Sequence, residues 1–493
     1  MRRRWLALVA SSVVNAACAV GPNFHRPAAP GDRGYTPDPV RETALADGKA
    51  QRFVEGQAIA ADWWQILRCP ELDSVLGRAL ANNPGLEAAR ATLRQNQDSL
   101  RAGYGVFLPQ VDAHAGVSRE AYNPAPGVLP GSSPFTLFSL SGTVTYALDI
   151  WGGSRRQLEM LGAAVDAQRY TLDGAYVMLT SNVIDAVIAQ AAYRAEIDAT
   201  KATVGLLDEQ IRIANAQVTG GTVPYSNVLS LQIQRASLAA TLPPLEEKID
   251  QAADLLAALS GTTPANAGQA PRVALSDLQL PGDLPLTLPS QLVRQRPDVL
   301  VAEAELHAAN ANIGVATAAM LPSLTLSAGY GVNNTSLGNL FGSQSPFWSV
   351  GGGLTQPILE EGALNYQRKA AIEARDAAAA LYRQTVLAAF EQVADTLRGL
   401  SHDADALAAQ TQAVETAEGA MRLIHANYQG GIATYLQVLT ADVQYLQAKI
   451  GYVQAVAQRL QDTVALYVSL GGGWWNAQKA IASGRSQAET SRP

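Results

Sequence analysis

Residues 137–150, LFSLSGTVTYALDI, change character with a period of two: Leu140, Gly142, Val144, Tyr146 and Leu148 fall on one side, and Ser139, Ser141, Thr143 and Thr145 on the other. Side chains leave a β-strand on alternate faces, so the segment reads as a strand with one apolar and one small polar face. Three other segments share the pattern. Val111, Ala113, Ala115 and Val117 precede it, while Leu324, Leu326, Ala328, Tyr330 and Val332, then Trp348, Val350, Gly352 and Leu354, follow it. The loops YNPAPGVLPGSSP and NNTSLGNLFGSQSP join the strands of each pair and are too long for tight hairpins. Such strands suit a membrane barrel with lipid outside and water inside. A soluble sandwich hairpin is the competing reading.

The strand pairs belong to an internal repeat. Pro84 recurs as Pro297, Pro109 as Pro322 and Ala115-Gly116 as Ala328-Gly329, all at an offset of 213. Gly220-Gly221 recurs as Gly430-Gly431, Tyr225 as Tyr435, Val228-Leu229 as Val438-Leu439 and Gly261 as Gly471, all at 210. Each half opens with 24 proline-free residues rich in helix formers, between the two prolines of that half. Ser154–Thr219 and Ala363–Gln429 then run 66 and 67 residues without proline, with apolar side chains three and four apart. A helix that long extends about 100 Å at 1.5 Å per residue. After each Gly-Gly turn a returning helix of 38 residues or so is expected, ending near Gly261 and Gly471.

At the N-terminus, Arg2, Arg3 and Arg4, an apolar stretch from Trp5 to Val14, and small Ala16 and Ala17 form the three parts of a secretory signal over residues 1–17. Ala-Ala-Cys resembles a lipoprotein processing site, with Asn15 where Leu is usual; Cys18 then becomes the acylated first residue of the mature chain. Ala19, not Asp, follows it, which in lipoproteins favours the outer membrane. Cys69 has no partner for a disulfide and reads as a small buried residue. Loss of the three arginines takes the formal charge from −7 to −10, which argues against nucleic acid as a partner. Past the signal there is no run of 18 apolar residues, so strands are what could span a bilayer. Four strands cannot close a barrel, since the smallest single-chain ones have about eight. Identical copies must supply the rest.

Several blocks together resemble the outer-membrane factors of tripartite efflux pumps, the TolC and NodT-like lipoproteins. They are Cys18 with VGPNFHRP, DWWQIL, ALANNPGLEAARATL, FLPQVDAHAG, LDIWGGSRR, LPSQLVRQRPDVLVAEAEL, MLPSLTLSAGYG, QPILEEG and SLGGGWW, running from residue 18 to residue 475. The resemblance implies a mixed α and β membrane protein: a homotrimer with a twelve-stranded β-barrel in the outer membrane and an α-helical barrel in the periplasm. It also implies a periplasmic adaptor and an inner-membrane transporter, proton-driven and of RND type, as partners. The chain divides on this reading into 1–17 signal, 18–62 lipid anchor and extended segment, 63–270 first repeat, 271–472 second repeat and 473–493 tail. Gly220, Gly221, Tyr225, Gly430, Gly431 and Tyr435 would lie at the periplasmic tip that meets the adaptor. Relatives often carry an acidic ring after the second turn; here the stretch is GGIATYLQVLTAD, with Asp442 its one acid. Asn227, Leu436, Gln437, Thr440 and Asp442 are the residues placed to narrow the pore. Closure by packed helix ends, near Tyr225, Tyr435 and Leu436, is expected instead of an acidic ring.

The residues offer no chemistry for an enzyme. His25, His114, His307, His402 and His425 lack metal-ligand spacing, no phosphate-binding loop carries a Lys, and no nucleophile elbow is present. No cofactor is expected beyond the lipid on Cys18. Trp63-Trp64 reads as a pin for the N-terminal segment, Pro22–Pro39 as an extended linker, and Glu360-Glu361 as a solvated helix start. The expected function is a passive exit duct for drugs or other small toxic compounds. A channel for protein secretion and a structural periplasmic lipoprotein without a pore are the alternatives.

Overall fold

A computed structural model of the protein describes residues 19–32, 34–38, 40–121, 134–269, 271–360 and 362–476. In chain order the elements are β1 (Arg52–Glu55), α1 (Pro70–Asn82), α2 (Pro84–Gly103), β2 (Gln110–Glu120), β3 (Phe135–Leu148), α3 (Gly153–Thr219), α4 (Ser226–Ala239), α5 (Leu242–Leu259), β4 (Asp283–Leu286), α6 (Pro289–Leu292), α7 (Pro297–Ala318), β5 (Ser323–Asn334), β6 (Pro346–Thr355), α8 (Ala363–Gln429) and α9 (Tyr435–Ser469). Cys18, the loop 122–133 and Glu361 lie outside the described residues. The chain forms two compact units, one of Met1–Pro27, Thr92–Gln168 and Val301–Arg383, the other of Ala28–Ala91, Arg169–Leu300 and Gln384–Pro493. Each sequence repeat contributes to both.

The first unit holds an antiparallel sheet in the order β2-β3-β5-β6, so the two hairpins pair with each other through β3 and β5. Directly opposed residues of an antiparallel ladder share a face. The register sets Val111 opposite Val144, Val144 opposite Ala328, and Ala328 opposite Val350, one unbroken apolar row. Leu148, Leu324 and Leu354 form another. The opposite face carries rows such as Asp112, Thr143, Gly329 and Ser349. The apolar face is not covered by protein in the single chain: Val111, Trp348, Val350 and Leu354 are 71%, 75%, 76% and 69% exposed. Among the described residues β2 and β6 each pair on one side only.

In the same unit residues 20–26, which overlap the Pro22–Pro39 stretch expected as an extended linker, are fastened to the helices. Arg156, nearly buried, donates to the carbonyls of Val20 and Gly21 and to Asn23 Oδ1, and pairs with Glu159 at 2.7 Å. Phe24 stacks on His307 with ring centroids 4.3 Å apart, and Arg26 pairs with Glu303 at 2.6 Å. Gly21, at φ +91°, lies so close to Gly314 that an added Cβ would sit 2.5 Å from its Cα. A guanidinium with four acceptors holds a strand-like segment that has no ladder of its own.

The second unit is built round α3, α8 and α9. The most apolar stretch of α3 is mostly buried, the mark of a core helix. Trp63 stacks on Tyr467 at 4.9 Å and Trp64 packs against Tyr176, so the tryptophan pair pins residues 63–67 to the helices as expected. Arg296, of the RQRPD block, donates to the carbonyls of Ala389 and Ser469 and to Gln392 Oε1, and pairs with Asp298 at 2.9 Å. One side chain thereby joins α8, the end of α9 and the first turn of α7. Arg459, fully buried, reaches Gln51 Oε1, Thr43 Oγ1 and the Lys49 carbonyl.

Two features depart from expectation. The first return helix is not continuous but breaks between α4 and α5, where Pro243 and Pro244 lack the N–H groups that helix continuation needs. Its counterpart α9, free of proline, runs unbroken for 35 residues. The four-residue strands β1 and β4 also pair, in parallel, from positions far apart in sequence.

Three carboxylates from three helices meet in this unit. Burial, then a hydrogen bond to Asp462 and its charge, push Asp403 up to about 7, against the Arg459 guanidinium. Burial and the charge of Asp462 push Asp185 up to about 6, against a hydrogen bond from Ser181. An unfolded carboxyl ionises at its ordinary value of 3.8, so between that and about 7 the folded state holds the extra proton of Asp403. Stability from this group is therefore full below about pH 4 and is lost as pH rises through 7. Asp403→Asn is expected to reduce that fall, measured as the difference in urea midpoint between about pH 4.5 and pH 7.5 for the variant and the parent protein.

Candidate functional site at the helix turns

Both long helices of the second unit end in a Gly-Gly pair, and the backbone shows why. After α3, Gly220 N–H bonds Ala216 O at 3.0 Å and Thr222 N–H bonds Gln217 O at 2.9 Å, with Gly221 at φ +70°. After α8, Gly430 N–H bonds Ala426 O at 3.1 Å and Ile432 N–H bonds Asn427 O at 2.8 Å, with Gly431 at φ +73°. The second glycine of each pair adopts the left-handed conformation that lets the last carbonyls find donors. A Cβ at Gly221 or Gly431 would touch nothing within 4 Å, so φ alone selects glycine there.

The residues expected near these turns take different roles. Tyr225 and Leu436 are exposed, at 55% and 67%, and with Leu229, Ile233 and Ile432 they leave apolar surface uncovered beside both turns. Asn227 is half-buried at the start of α4, where its N–H bonds the Pro224 carbonyl at 3.1 Å. Gln437 caps α9: its Oε1 accepts from the Thr434 N–H at 2.6 Å. Thr440 donates to the Leu436 carbonyl at 2.8 Å. Tyr435 packs with Leu439 against Leu207, Val228 and Leu231, so the two hairpins share one small core. Burial pushes its phenol up to about 12, helped by Tyr428 and Asp442.

Asp442 does not offer its carboxylate to solvent. The residue is 1% exposed, its Oδ2 accepts from Gln210 Nε2 at 2.6 Å, and its Oδ1 lies 2.6 Å from His425 Nε2. Tyr428 adds a hydroxyl donated to Gln217 Oε1 at 3.3 Å. These bonds tie α3 to α8 and α9. The sequence reading missed His425 and Gln210, yet a signal was there: at the 210-residue offset the first repeat has neutral Asn215 and Gln232 where the second has His425 and Asp442. Glu360, at the start of α8, lends its carbonyl to the Ala363 N–H at 2.8 Å and its side chain is exposed.

Residues 75–262 and 288–472 match the family model described as outer membrane efflux protein. The chain belongs to the outer membrane efflux protein family. This efflux protein is 30% identical over 457 residues to the pyoverdine export outer membrane protein OpmQ of Pseudomonas aeruginosa, a match covering 91% of this chain and 96% of the relative. It is 26% identical to the probable outer membrane lipoprotein SilC of Salmonella typhimurium, over 95% of this chain and 98% of the relative. The solved structure of the outer-membrane channel OprN superposes with a TM-score of 0.83 at 26% identity, covering 93% of this chain and all of that one. The efflux protein is thus an outer-membrane component of an efflux system, with a mixed helical and sheet fold, in a family of channels rather than enzymes.

The turn geometry separates the two glycines of each pair. Gly431→Ala forces an L-residue to a left-handed φ and is expected to destabilise the α8–α9 end by about 1 kcal/mol. Gly430→Ala, in the helical region, is expected to be neutral or to stabilise by a few tenths, on the order of 0.5 kcal/mol. Amide hydrogen exchange over residues 426–438 reads the difference directly.

Proposed function

We propose that the efflux protein is the passive exit duct of a tripartite pump for drugs or other small toxic compounds, assembled as a homotrimer. Three copies of the sheet give twelve strands, and the helices of three copies enclose a tunnel through the periplasm. The observation that carries this reading is the sheet itself. Its strands of 11, 14, 12 and 10 residues are long enough for a tilted span, which takes about 9–11. Its apolar face is bare and its two edges are open. A bilayer satisfies the face and leaves the edges unsatisfied, so copies of β2 and β6 must pair with each other.

The helix turns are the docking end for a periplasmic adaptor. The exposed Tyr225, Leu229, Ile233, Ile432 and Leu436 suit an apolar partner surface. Pore closure there comes from packed helix ends, since Asp442, the acid nearest the second turn, is held by His425 and Gln210. The inner-membrane transporter is proton-driven, of RND type, and selects the compound. The export role in the name of the P. aeruginosa relative, and the lipoprotein in that of the S. typhimurium one, agree with efflux and with a lipid on Cys18.

Purification from cross-linked cells is expected to yield a trimer together with an adaptor and a proton-driven transporter; recovery with a secretion ATPase would reject drug efflux. Leu436→Asp with Ile432→Asp is expected to cut the recovered adaptor about tenfold, for a loss on the order of 1.4 kcal/mol, while the amount of trimer in the outer membrane stays the same. Cys18→Ser is expected to abolish incorporation of labelled palmitate, read by mass spectrometry of the N-terminal peptide; an unchanged lipid signal would remove Cys18 as the anchor.

A further inference from the structure

Away from the helix turns, the second unit contains a cleft of about 730 Å³ between one face of α3, one face of α9, the turn 46–49 and the segment 272–280. That volume lies within the range of small-ligand sites, about 300–1,000 Å³. Ala195, Val273, Val453 and Val456 are among its apolar walls. Four cations line it: Lys49, Arg194, Arg272 and Lys449.

Arg194 and Arg272 come close enough to repel each other. Burial lowers the Arg194 pKa and the Arg272 charge lowers it further, with no acid acting in the other direction. Among the described residues neither guanidinium makes an ion pair or a side-chain hydrogen bond. Two of the three acids of the cleft are engaged elsewhere and the third is open to solvent. Asp47 accepts the Tyr452 hydroxyl at 2.9 Å, Asp277 accepts the Ala274 N–H at 2.9 Å, and Asp198 is exposed. Lys449 sits over the Tyr452 ring at 5.5 Å. Two like charges beside an apolar wall, in a chain of net charge −7, are stabilised by an anion between them. A guanidinium fork matches the oxygens of carboxylate or phosphate.

We propose that this cleft binds an amphipathic oxyanion: a carboxylate or phosphate head held by Arg194 and Arg272, joined to a short apolar chain lying on the walls of α3 and α9. The site is formed within one chain, so it stands whether or not the exported compound is a drug.

The test uses the full-length protein in nanodiscs of zwitterionic lipid, titrated with octanoate, octyl phosphate or octanol, with empty nanodiscs as reference. One saturable site per chain is expected for octanoate or octyl phosphate, at least about tenfold tighter than for octanol. The head that binds better tells a fatty-acid source from a phospholipid source. Arg194→Gln with Arg272→Gln is expected to weaken binding about tenfold or more. Ala195→Trp, which fills the cleft and keeps its charges, is expected to abolish it, and it decides the matter if the double variant does not fold. Equal affinity for octanol, or unchanged binding in a folded double variant or in Ala195→Trp, would overturn the proposal.

Discussion

The backbone hydrogen bonds at the two edges of one sheet constrain everything else. In water, the open N–H and C=O groups of β2 and β6 are met by solvent. In hydrocarbon each unmet group costs several kcal/mol, so a four-stranded sheet cannot remain four-stranded there. Yet the same strands carry bare rows of Val, Leu and Trp that water disfavours. On the proposed trimer the two demands are met together, because the ladder continues into other chains. Membrane location and assembly are then one requirement rather than two.

Duplication provides the means. Each repeat yields one hairpin, and the β3–β5 register aligns them so that residues from both repeats form continuous apolar rows. A slip of one residue at that junction would turn half of each row to the other face. The helical parts are less symmetric. The second repeat has the hydrogen-bonded pair His425 and Asp442, and Asp442 reaches Gln210 across to the first. The first repeat instead has the proline break between α4 and α5. The two repeats are thus complementary here, the second carrying the acid and the first the glutamine that donates to it.

What was legible in the sequence follows from range. Period-two alternation and the Gly-Gly turns are local and appear where they were read, because a strand face and a left-handed φ each depend on a few neighbouring residues. That further copies are needed follows from strand number, which is arithmetic on local features, whereas their number, three, is implied only by the family resemblance. The pairing of β1 with β4 was not legible, since RFVE and DLPL are four residues each and 231 positions separate their first partners. The partners of Asp442 were hidden for a related reason. A lone acid near a turn looks exposed until a histidine 17 residues earlier and a glutamine 232 residues earlier fold onto it. The prolines at 243 and 244 were in view, and the break they cause is the local rule that the repeat pattern obscured.

The RQRPD block, the strongest mark of the family resemblance, turns out to be a joint. The donors of the half-buried Arg296 go to two carbonyls, a glutamine and Asp298, fastening three helices. A largely enclosed guanidinium tolerates few arrangements, because each unmet donor away from water carries a desolvation penalty. Such a joint is therefore recognisable in sequence for architectural reasons. The surfaces proposed to act on other molecules lie elsewhere, on the uncovered sheet face and the apolar residues beside the glycine turns. Those surfaces require only hydrophobic side chains of suitable exposure, which many sequences supply. On the proposed reading the most specific motif and the working surfaces are different residues, and in a family of channels they have no need to coincide.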